Sequence, residues 1–125
     1  MQINRGLTFL VAVLFLISGV FHLTVGYSLL ATEFAPSIID LVFGIIYIVL
    51  GISVFVDKRR LIFYLCLIFA FIDGAGGLYA HIASQAIAPL IAALIDLVII
   101  LICAYLVITK KATVELTNSS TSIIQ

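Results

Sequence analysis

The chain has 125 residues, of which 65% are hydrophobic and 10% are charged. This composition lies far outside the range of soluble globular proteins and also excludes a disordered chain, so a bilayer is the natural solvent for it. Six basic and six acidic residues give a formal net charge of zero. There is therefore no electrostatic basis for binding nucleic acid, and we expect lipid rather than a polyanion as the partner.

Four apolar runs between charged residues are long enough to cross a membrane. A helix rises ~1.5 Å per residue, so roughly 20 residues cross a ~30 Å hydrocarbon core. Pro36 and Pro89 fall in the opening turns of the second and fourth runs, where a missing N–H costs no hydrogen bond. Short links make neighbouring helices antiparallel. The sequence predicts an all-α integral membrane protein, a four-transmembrane-helix antiparallel bundle over residues 1–111, with spans at about 6–30, 36–56, 61–83 and 86–109.

The basic residues all fall on one side of this bundle. They precede the first span, fill the link between the second and third spans, and follow the fourth span. Because cytoplasmic loops are enriched in Lys and Arg, this pattern predicts that both termini are cytoplasmic. A cleaved signal peptide is the alternative for the first span, but the apolar run is long and no A-x-A-like site follows it. The basic residues are Arg5, Lys58, Arg59, Arg60, Lys110 and Lys111.

The last segment, residues 112–125, is largely polar and rich in Ser and Thr. Such a composition predicts a loosely ordered, polar cytoplasmic tail. The sequence Asn118-Ser119-Ser120 matches the N-glycosylation pattern, which on the cytoplasmic side is a chance match.

The second half of the chain resembles the first half when shifted by 55 residues, and the sequences A-P and I-D-L-V recur in the second and fourth spans. Two tandem helical hairpins of the same topology, related by an axis along the membrane normal, would give this pattern. Chance similarity between apolar helices explains it equally well. The matched positions are Arg5/Arg60, Leu10/Leu65, Gly19/Gly74 and Leu23/Leu78.

Each predicted helix carries its small and polar residues on one face, at positions four, seven and eleven residues after the first. This spacing is typical of a helix-packing seam, and small residues let helix backbones approach closely in lipid. The seam residues are Phe15, Gly19, His22 and Gly26; Asp40, Gly44, Tyr47 and Gly51; Cys66, Ala70, Asp73 and Gly77; and Ala92, Asp96, Ile99 and Cys103. The glycines predicted to pack helices are Gly19, Gly26, Gly44, Gly51, Gly74 and Gly77.

His22 and Asp40 lie on helices joined by a short link, about 6 to 12 Å inside the outer interface by residue count. A protonated imidazole lowers the cost of an ionised carboxylate, so we predict a polar pair that closes the first hairpin. The functional alternative to this structural pair is a metal site with His22, Asp40 and His81 or Asp73 as ligands. It lacks any H-x-x-x-H or E-x-x-H spacing, so we predict no metal and no cofactor. His81 fits better at the outer interface, where its ring reaches water.

Asp73 and Asp96 both fall near mid-membrane, where no basic residue is expected. Two carboxyls in a low dielectric resist ionising together, so at least one should hold a proton, or the pair should share a proton or a cation. Intramembrane acids without a basic partner often mark ion or proton paths, which makes these residues the proton or cation candidates. The alternative is that both are neutral and bonded to carbonyl groups or to a partner protein.

Cys66 and Cys103 come out at similar depth near the cytoplasmic side. Without a C-x-x-C motif they fit better as small buried hydrophobes than as a redox pair.

The sequence contains no P-loop, dinucleotide fingerprint, nucleophile elbow or H-E-x-x-H, so we do not expect an enzyme. The first functional hypothesis is an accessory or structural subunit that assembles with other membrane proteins, because the loops are minimal. The second is a homo-oligomeric proton- or cation-coupled transporter that uses Asp73 and Asp96. An intramembrane metal or redox site is the third.

Overall fold

The computed structural model describes residues 2–57 and 59–123, and within them the chain forms four α-helices and no strand. Met1 at the start of the predicted segment 1–111, Lys58 within it, and Ile124 and Gln125 at the end of the predicted segment 112–125 lie outside the described residues. Each helix contains a stretch long and apolar enough to cross a membrane. The predicted all-α four-helix membrane bundle is therefore confirmed. The helices are α1 (Gln2–Leu29), α2 (Phe34–Val56), α3 (Arg60–Ser84) and α4 (Ile87–Ile123).

The helix ends follow from local sequence. α2 begins two residues before Pro36 and α4 begins two residues before Pro89, so each proline occupies a first turn, where its missing N–H is tolerated. α3 is closed by Gln85, which has a left-handed backbone with φ of 59° and donates its N–H to the carbonyl of His81 at 2.7 Å. A single left-handed residue lets the chain reverse direction between α3 and α4.

The fourth helix is longer than predicted. α4 continues to Ile123, so the expectation of a loosely ordered tail after residue 111 is wrong for residues 112–123. Extending a helix that already exists costs far less than starting one, because each added residue gains a hydrogen bond without a new nucleation step. A polar composition alone therefore did not indicate where the helix ends.

The four helices form two hairpins that lie side by side. α1 packs along α2 and α3 packs along α4, while the smaller contacts of α1 with α4 and of α2 with α3 join the hairpins. We call the end that carries residues 30–33 and 85–86 the hairpin end, and the end that carries residues 57 and 59 the terminal end. The hairpin pairing fits the two-hairpin pattern seen in the sequence.

Small residues form the seam between α1 and α2. A Cβ placed on Gly44 would lie 3.0 Å from the carbonyl oxygen of Gly19, and a Cβ on Gly19 would lie 3.0 Å from that of Gly44. Towards the hairpin end, Ser37 Oγ donates to the Gly26 carbonyl at 2.6 Å. The seam residues repeat every seven positions on both helices, which is the period of left-handed antiparallel packing. They are Ala12, Gly19 and Gly26 on α1 and Ser37, Gly44 and Gly51 on α2.

The seam between α3 and α4 also depends on glycine. A Cβ on Gly77 would lie 2.9 Å from the carbonyl oxygen of Pro89, and one on Gly74 would lie 3.2 Å from the Cβ of Asp96. Gly76, by contrast, has nothing within 4 Å of that position. The six glycines predicted to pack helices thus all lie at helix contacts.

The interior of the bundle is closed at one end and looser at the other. Of the sixteen seam residues predicted above, thirteen are buried and three are half-buried. In α3 the buried residues are Phe63, Cys66 and Ala70, all in the half nearer the terminal end. The half of α3 that is nearer the hairpin end has no buried residue. The terminal half is filled by fully buried apolar residues: Val11, Phe15, Val54, Phe63, Cys66, Ile99, Cys103 and Leu106.

Candidate functional site: an intramembrane ionisable network

His22 lies between two carboxyl groups. Its Nδ1 is 3.1 Å from Asp40 Oδ1 and its Nε2 is 2.8 Å from Asp73 Oδ2. The imidazole is nearly completely buried, and its two partners lie on different helices. One ring therefore joins α1 to α2 within a hairpin and α1 to α3 across the two hairpins.

The structure brings the predicted polar pair together and adds Asp73 to it. The expectation that no basic residue lies near Asp73 is wrong, because His22 reaches it. Counting residues from helix ends gives the depth of a Cα atom, but helix tilt and side-chain length together shift a polar group by about one turn.

Tyr47 and Asp96 form the second half of the network. Tyr47 Oη donates to Asp96 Oδ1 at 2.8 Å, and both side chains are fully buried. The carboxyl of Asp73 lies close enough to Asp96 and to the Tyr47 hydroxyl to interact with both electrostatically. The two acids predicted at mid-membrane are thus neighbours in the bundle core.

Two contacts of the network run across the bundle. His22 to Asp73 joins α1 to α3, and Tyr47 to Asp96 joins α2 to α4. Each bridge connects one hairpin to the other. The polar residues therefore hold together the interface at which the helices make fewer direct contacts.

Aromatic rings surround the polar groups. The Tyr47 ring centroid lies 4.9 Å from that of Phe15 and 5.6 Å from that of His22, both in edge-to-face geometry. Phe43 lies 6.2 Å from Tyr47 and 6.4 Å from Phe69 across the α2–α3 contact. These rings fix the orientation of the imidazole and the phenol and keep lipid away from them.

Exposure falls steadily along the network. The Asp40 side chain is 26% exposed, that of Asp73 is 13% exposed, and Asp96 is fully buried. Asp40 is also the acid nearest the hairpin end, seven residues into α2. The ionisable groups therefore lead from the surface near the hairpin end to the middle of the bundle, where the apolar terminal half begins.

Three oxygen atoms in the core make no hydrogen bond. Among the residues that the structure describes, they are Ser18 Oγ, Asp96 Oδ2 and Asp73 Oδ2, and the last of these has only the ion-pair contact with His22. A carboxylate oxygen only accepts, so two ionised carboxylates cannot bond to each other. A proton on Asp73 or Asp96 would supply the bond that joins this pair.

The remaining candidates lie apart from the network. His81 Nδ1–H donates to the Ala86 carbonyl at 2.6 Å, at the hairpin end. Cys66 and Cys103 are free and buried, and they are neighbours in the terminal half. Within the described part of the chain, no group of three or more His, Cys, Asp or Glu side chains is arranged to hold a metal ion. No feature of these residues favours the metal or redox hypothesis.

The sequence does not indicate the role of two residues near the network. It predicts that Tyr47 faces inward but does not identify it as the donor to Asp96, although Tyr47 follows Asp40 by seven residues. Ser18 belongs to none of the predicted seams. Its position four residues before His22, one helical turn away, was the available indication.

Fold and site together define a class: a small multi-pass membrane protein whose four-helix bundle encloses an ionisable network. No protein family model, curated protein or solved structure matches the chain. The chemistry of the network is therefore the basis for inferring function.

Proposed function

We propose that the protein binds and releases protons in the membrane interior through Asp73 and Asp96, as a small homo-oligomeric proton- or cation-coupled transporter. The observation that carries this proposal is the continuous set of ionisable groups from the partly exposed Asp40, through His22 and Asp73, to the buried Asp96. Intramembrane ionisable residues are costly to keep and usually mark ion or proton pathways.

The composition of the network favours proton exchange over a purely structural role. Three carboxyls surround one imidazole, so a single proton on His22 compensates only one of three negative charges. Unpaired charges in low dielectric are strongly unfavourable. Further protons or cations must therefore bind to the carboxyl groups, and the partly exposed Asp40 gives them a route.

The orientation proposed for the network follows from the basic residues. Arg5, Arg59 and Arg60 lie at the terminal end, and Lys58 of the predicted basic set lies outside the described residues. Applying the positive-inside rule, we propose that the terminal end and both chain termini face the cytoplasm. The partly exposed Asp40 then lies towards the outer side of the membrane.

The decisive experiment measures proton flux. Purified protein in proteoliposomes is subjected to a pH step, and the internal pH is followed with a trapped dye. Asp96→Asn keeps the shape of the side chain but cannot exchange a proton, so we expect pH-driven flux to be abolished. The control is Asp57→Asn, which changes a carboxyl at the terminal end that pairs with Arg59. Flux at the wild-type rate in Asp96→Asn would refute the proposal.

The accessory-subunit hypothesis is the second candidate, and one feature favours it. A groove of about 330 Å³ between α3 and α4 is lined by apolar residues, several of them small, so that side chains from a helix of another subunit would fit into it. The lining includes Gly74, Ala75, Ala93 and Leu97.

Native mass measurement of the detergent-solubilised complex separates the two candidates. A defined homo-oligomer supports the transporter and excludes the accessory role. Co-purification with larger subunits, together with weakened assembly but unchanged activity of that complex in Asp73→Asn and Asp96→Asn, would establish the accessory role instead.

A further inference from the structure

We propose that the bundle core binds a small monovalent cation of the sodium class among Ser18 Oγ, Asp96 Oδ2 and the Asp73 carboxyl. The inference rests on the proposed function and names its coupling ion. It is carried by three buried oxygen atoms that make no hydrogen bond, Ser18 Oγ, Asp73 Oδ2 and Asp96 Oδ2, by their placement, and by the charge of the surrounding groups.

Ser18 points into the core. It lies on a stripe of α1, spaced at heptad positions, that also contains Val11, Phe15 and His22, and all four residues are buried. Phe15 precedes Ser18 by three residues and His22 follows it by four, so both lie one turn away on the same face. The Ser18 hydroxyl is therefore held in the interior and cannot reach water at the membrane surface.

Ser18 and Asp96 share the same layer of the bundle. The Tyr47 ring packs against Phe15 and His22, the two residues that flank Ser18, while its hydroxyl bonds to Asp96. α1 also packs directly against α4, the helix that carries Asp96. Ser18 and Asp96 are thus both buried next to residues that contact Tyr47, on two helices that pack against each other.

Oxygen atoms of this kind are the ligands of hard cations. A hydroxyl and carboxylate oxygens suit small ions without a preference for nitrogen or sulfur. The nitrogens of His22 lie 3.1 and 2.8 Å from carboxyl oxygens of Asp40 and Asp73. The described residues also offer no set of three His, Cys, Asp or Glu for a transition metal. The donor set therefore favours sodium or lithium over zinc or iron.

The charge balance of the network indicates that the bound cation is monovalent. With one proton on His22 and one shared by Asp73 and Asp96, the three carboxyls of the network still leave one negative charge uncompensated. One monovalent cation brings the network to neutrality. Because protons neutralise the same groups, they compete with the cation. The titratable groups facing this region are His22 from α1, Asp40 and Tyr47 from α2, Asp73 from α3 and Asp96 from α4.

The test measures the thermal unfolding midpoint of the purified full-length protein in detergent while sodium chloride replaces choline chloride at constant ionic strength. We expect sodium to raise the midpoint, with a half-saturating concentration that increases as the pH is lowered, because a ligand stabilises the state that it binds. Ser18→Ala removes one ligand and should weaken sodium binding about tenfold. The matched control is Ser53→Ala, because the Ser53 hydroxyl only donates to the Val49 carbonyl of its own helix, at 2.7 Å.

Two results would overturn the inference. The first is a midpoint that does not distinguish sodium from choline, and the second is unchanged sodium affinity in Ser18→Ala, which would assign Ser18 to an ordered water molecule. Either result leaves the proton proposal intact if Asp96→Asn still abolishes flux in proteoliposomes. Conversely, wild-type proton flux in Asp96→Asn refutes that proposal whatever the sodium titration shows.

Discussion

His22 occupies the centre of the ionisable network because both ring nitrogens have a carboxyl neighbour. A side chain held from two sides keeps one ring orientation, and the edge-on contact with Tyr47 restricts it further. Removing one carboxyl would leave a buried group partly unpaired, which is more costly than never having formed the contact. The residues of the network are therefore energetically dependent on one another.

Tyr47→Phe tests this dependence at a single atom. The substitution removes the hydroxyl that donates to Asp96 but preserves the ring that packs on Phe15 and His22. We expect the free energy of unfolding to fall by about 1–3 kcal/mol, the cost of leaving a buried acceptor unsatisfied. The measurement is denaturant unfolding in detergent micelles. The control, Tyr27→Phe, changes a ring that is 75% exposed and should have almost no effect; equal losses in the two variants would contradict the assigned bond.

The inward-facing residues can be predicted from the sequence better than their partners can. The spacing of small and polar positions placed His22, Asp40, Asp73 and Asp96 on interior faces, because helical periodicity alone fixes which side a residue occupies. The contact between His22 and Asp73 required knowledge of how the hairpins are placed and how far each side chain extends. Neither can be obtained by counting residue positions along the sequence.

At the level of helices, the seam of α1 with α2 differs from that of α3 with α4. The first seam has small residues in a seven-residue repeat on both helices, so the backbones approach along the length of the hairpin. The second has Gly74 and Gly77 opposite the Asp96 side chain and the Pro89 carbonyl. We expect the first hairpin to be the more rigid of the two.

Gly44→Ala tests the close approach in the first seam. The added Cβ would lie 3.0 Å from the Gly19 carbonyl oxygen and 2.8 Å from Leu23 Cγ, so the helices must separate. Overpacking of this kind costs about 1–3 kcal/mol. Gly76→Ala is the matched control, since nothing lies within 4 Å of its Cβ and alanine favours a helix by up to about 1 kcal/mol. Thermal unfolding of the two variants should therefore shift in opposite directions, and a Gly44→Ala protein as stable as wild type would exclude close packing at this position.

The helix boundaries could be predicted where the sequence carries a local cause. Pro36 and Pro89 marked helix starts to within two residues, because proline is compatible only with the first turn. The end of α4 had no comparable marker. Neither glycine nor proline follows Lys111, and composition alone does not stop a helix that is already formed.

At the scale of the whole molecule, the bundle is asymmetric along its axis. Apolar side chains fill the terminal half, and the ionisable groups occupy the half nearer the hairpin end. The sequence predicted four spans from run length and hydropathy because membrane thickness sets both. The uneven closure could not be predicted, since it depends on how closely each half of α3 packs against the other helices, and only the half nearer the terminal end has buried residues.

The proposed orientation is tested by cysteine labelling. Thr32→Cys places a thiol at the hairpin end, and Ser122→Cys places one on the exposed surface of α4 beyond the terminal end. With a membrane-impermeant maleimide on intact cells, we expect Thr32→Cys to be labelled and Ser122→Cys to be labelled only after permeabilisation. The unmodified chain is the control, because Cys66 and Cys103 are fully buried. The reverse labelling pattern would show that the hairpin end faces the cytoplasm.

The apolar terminal half has an electrical consequence. Asp96 is the tenth residue of α4, so it lies ~15 Å from the hairpin end, about halfway through a ~30 Å hydrocarbon core. An ion that enters from the hairpin end and stops there moves through roughly half of the transmembrane voltage. Moving a unit charge through the whole voltage changes its free energy by about 2.3 kcal/mol per 100 mV. The binding free energy of an ion at this site therefore changes by about 1 kcal/mol per 100 mV. A path that is closed towards the terminal end in this conformation makes ion affinity respond to membrane potential without any voltage-sensing helix.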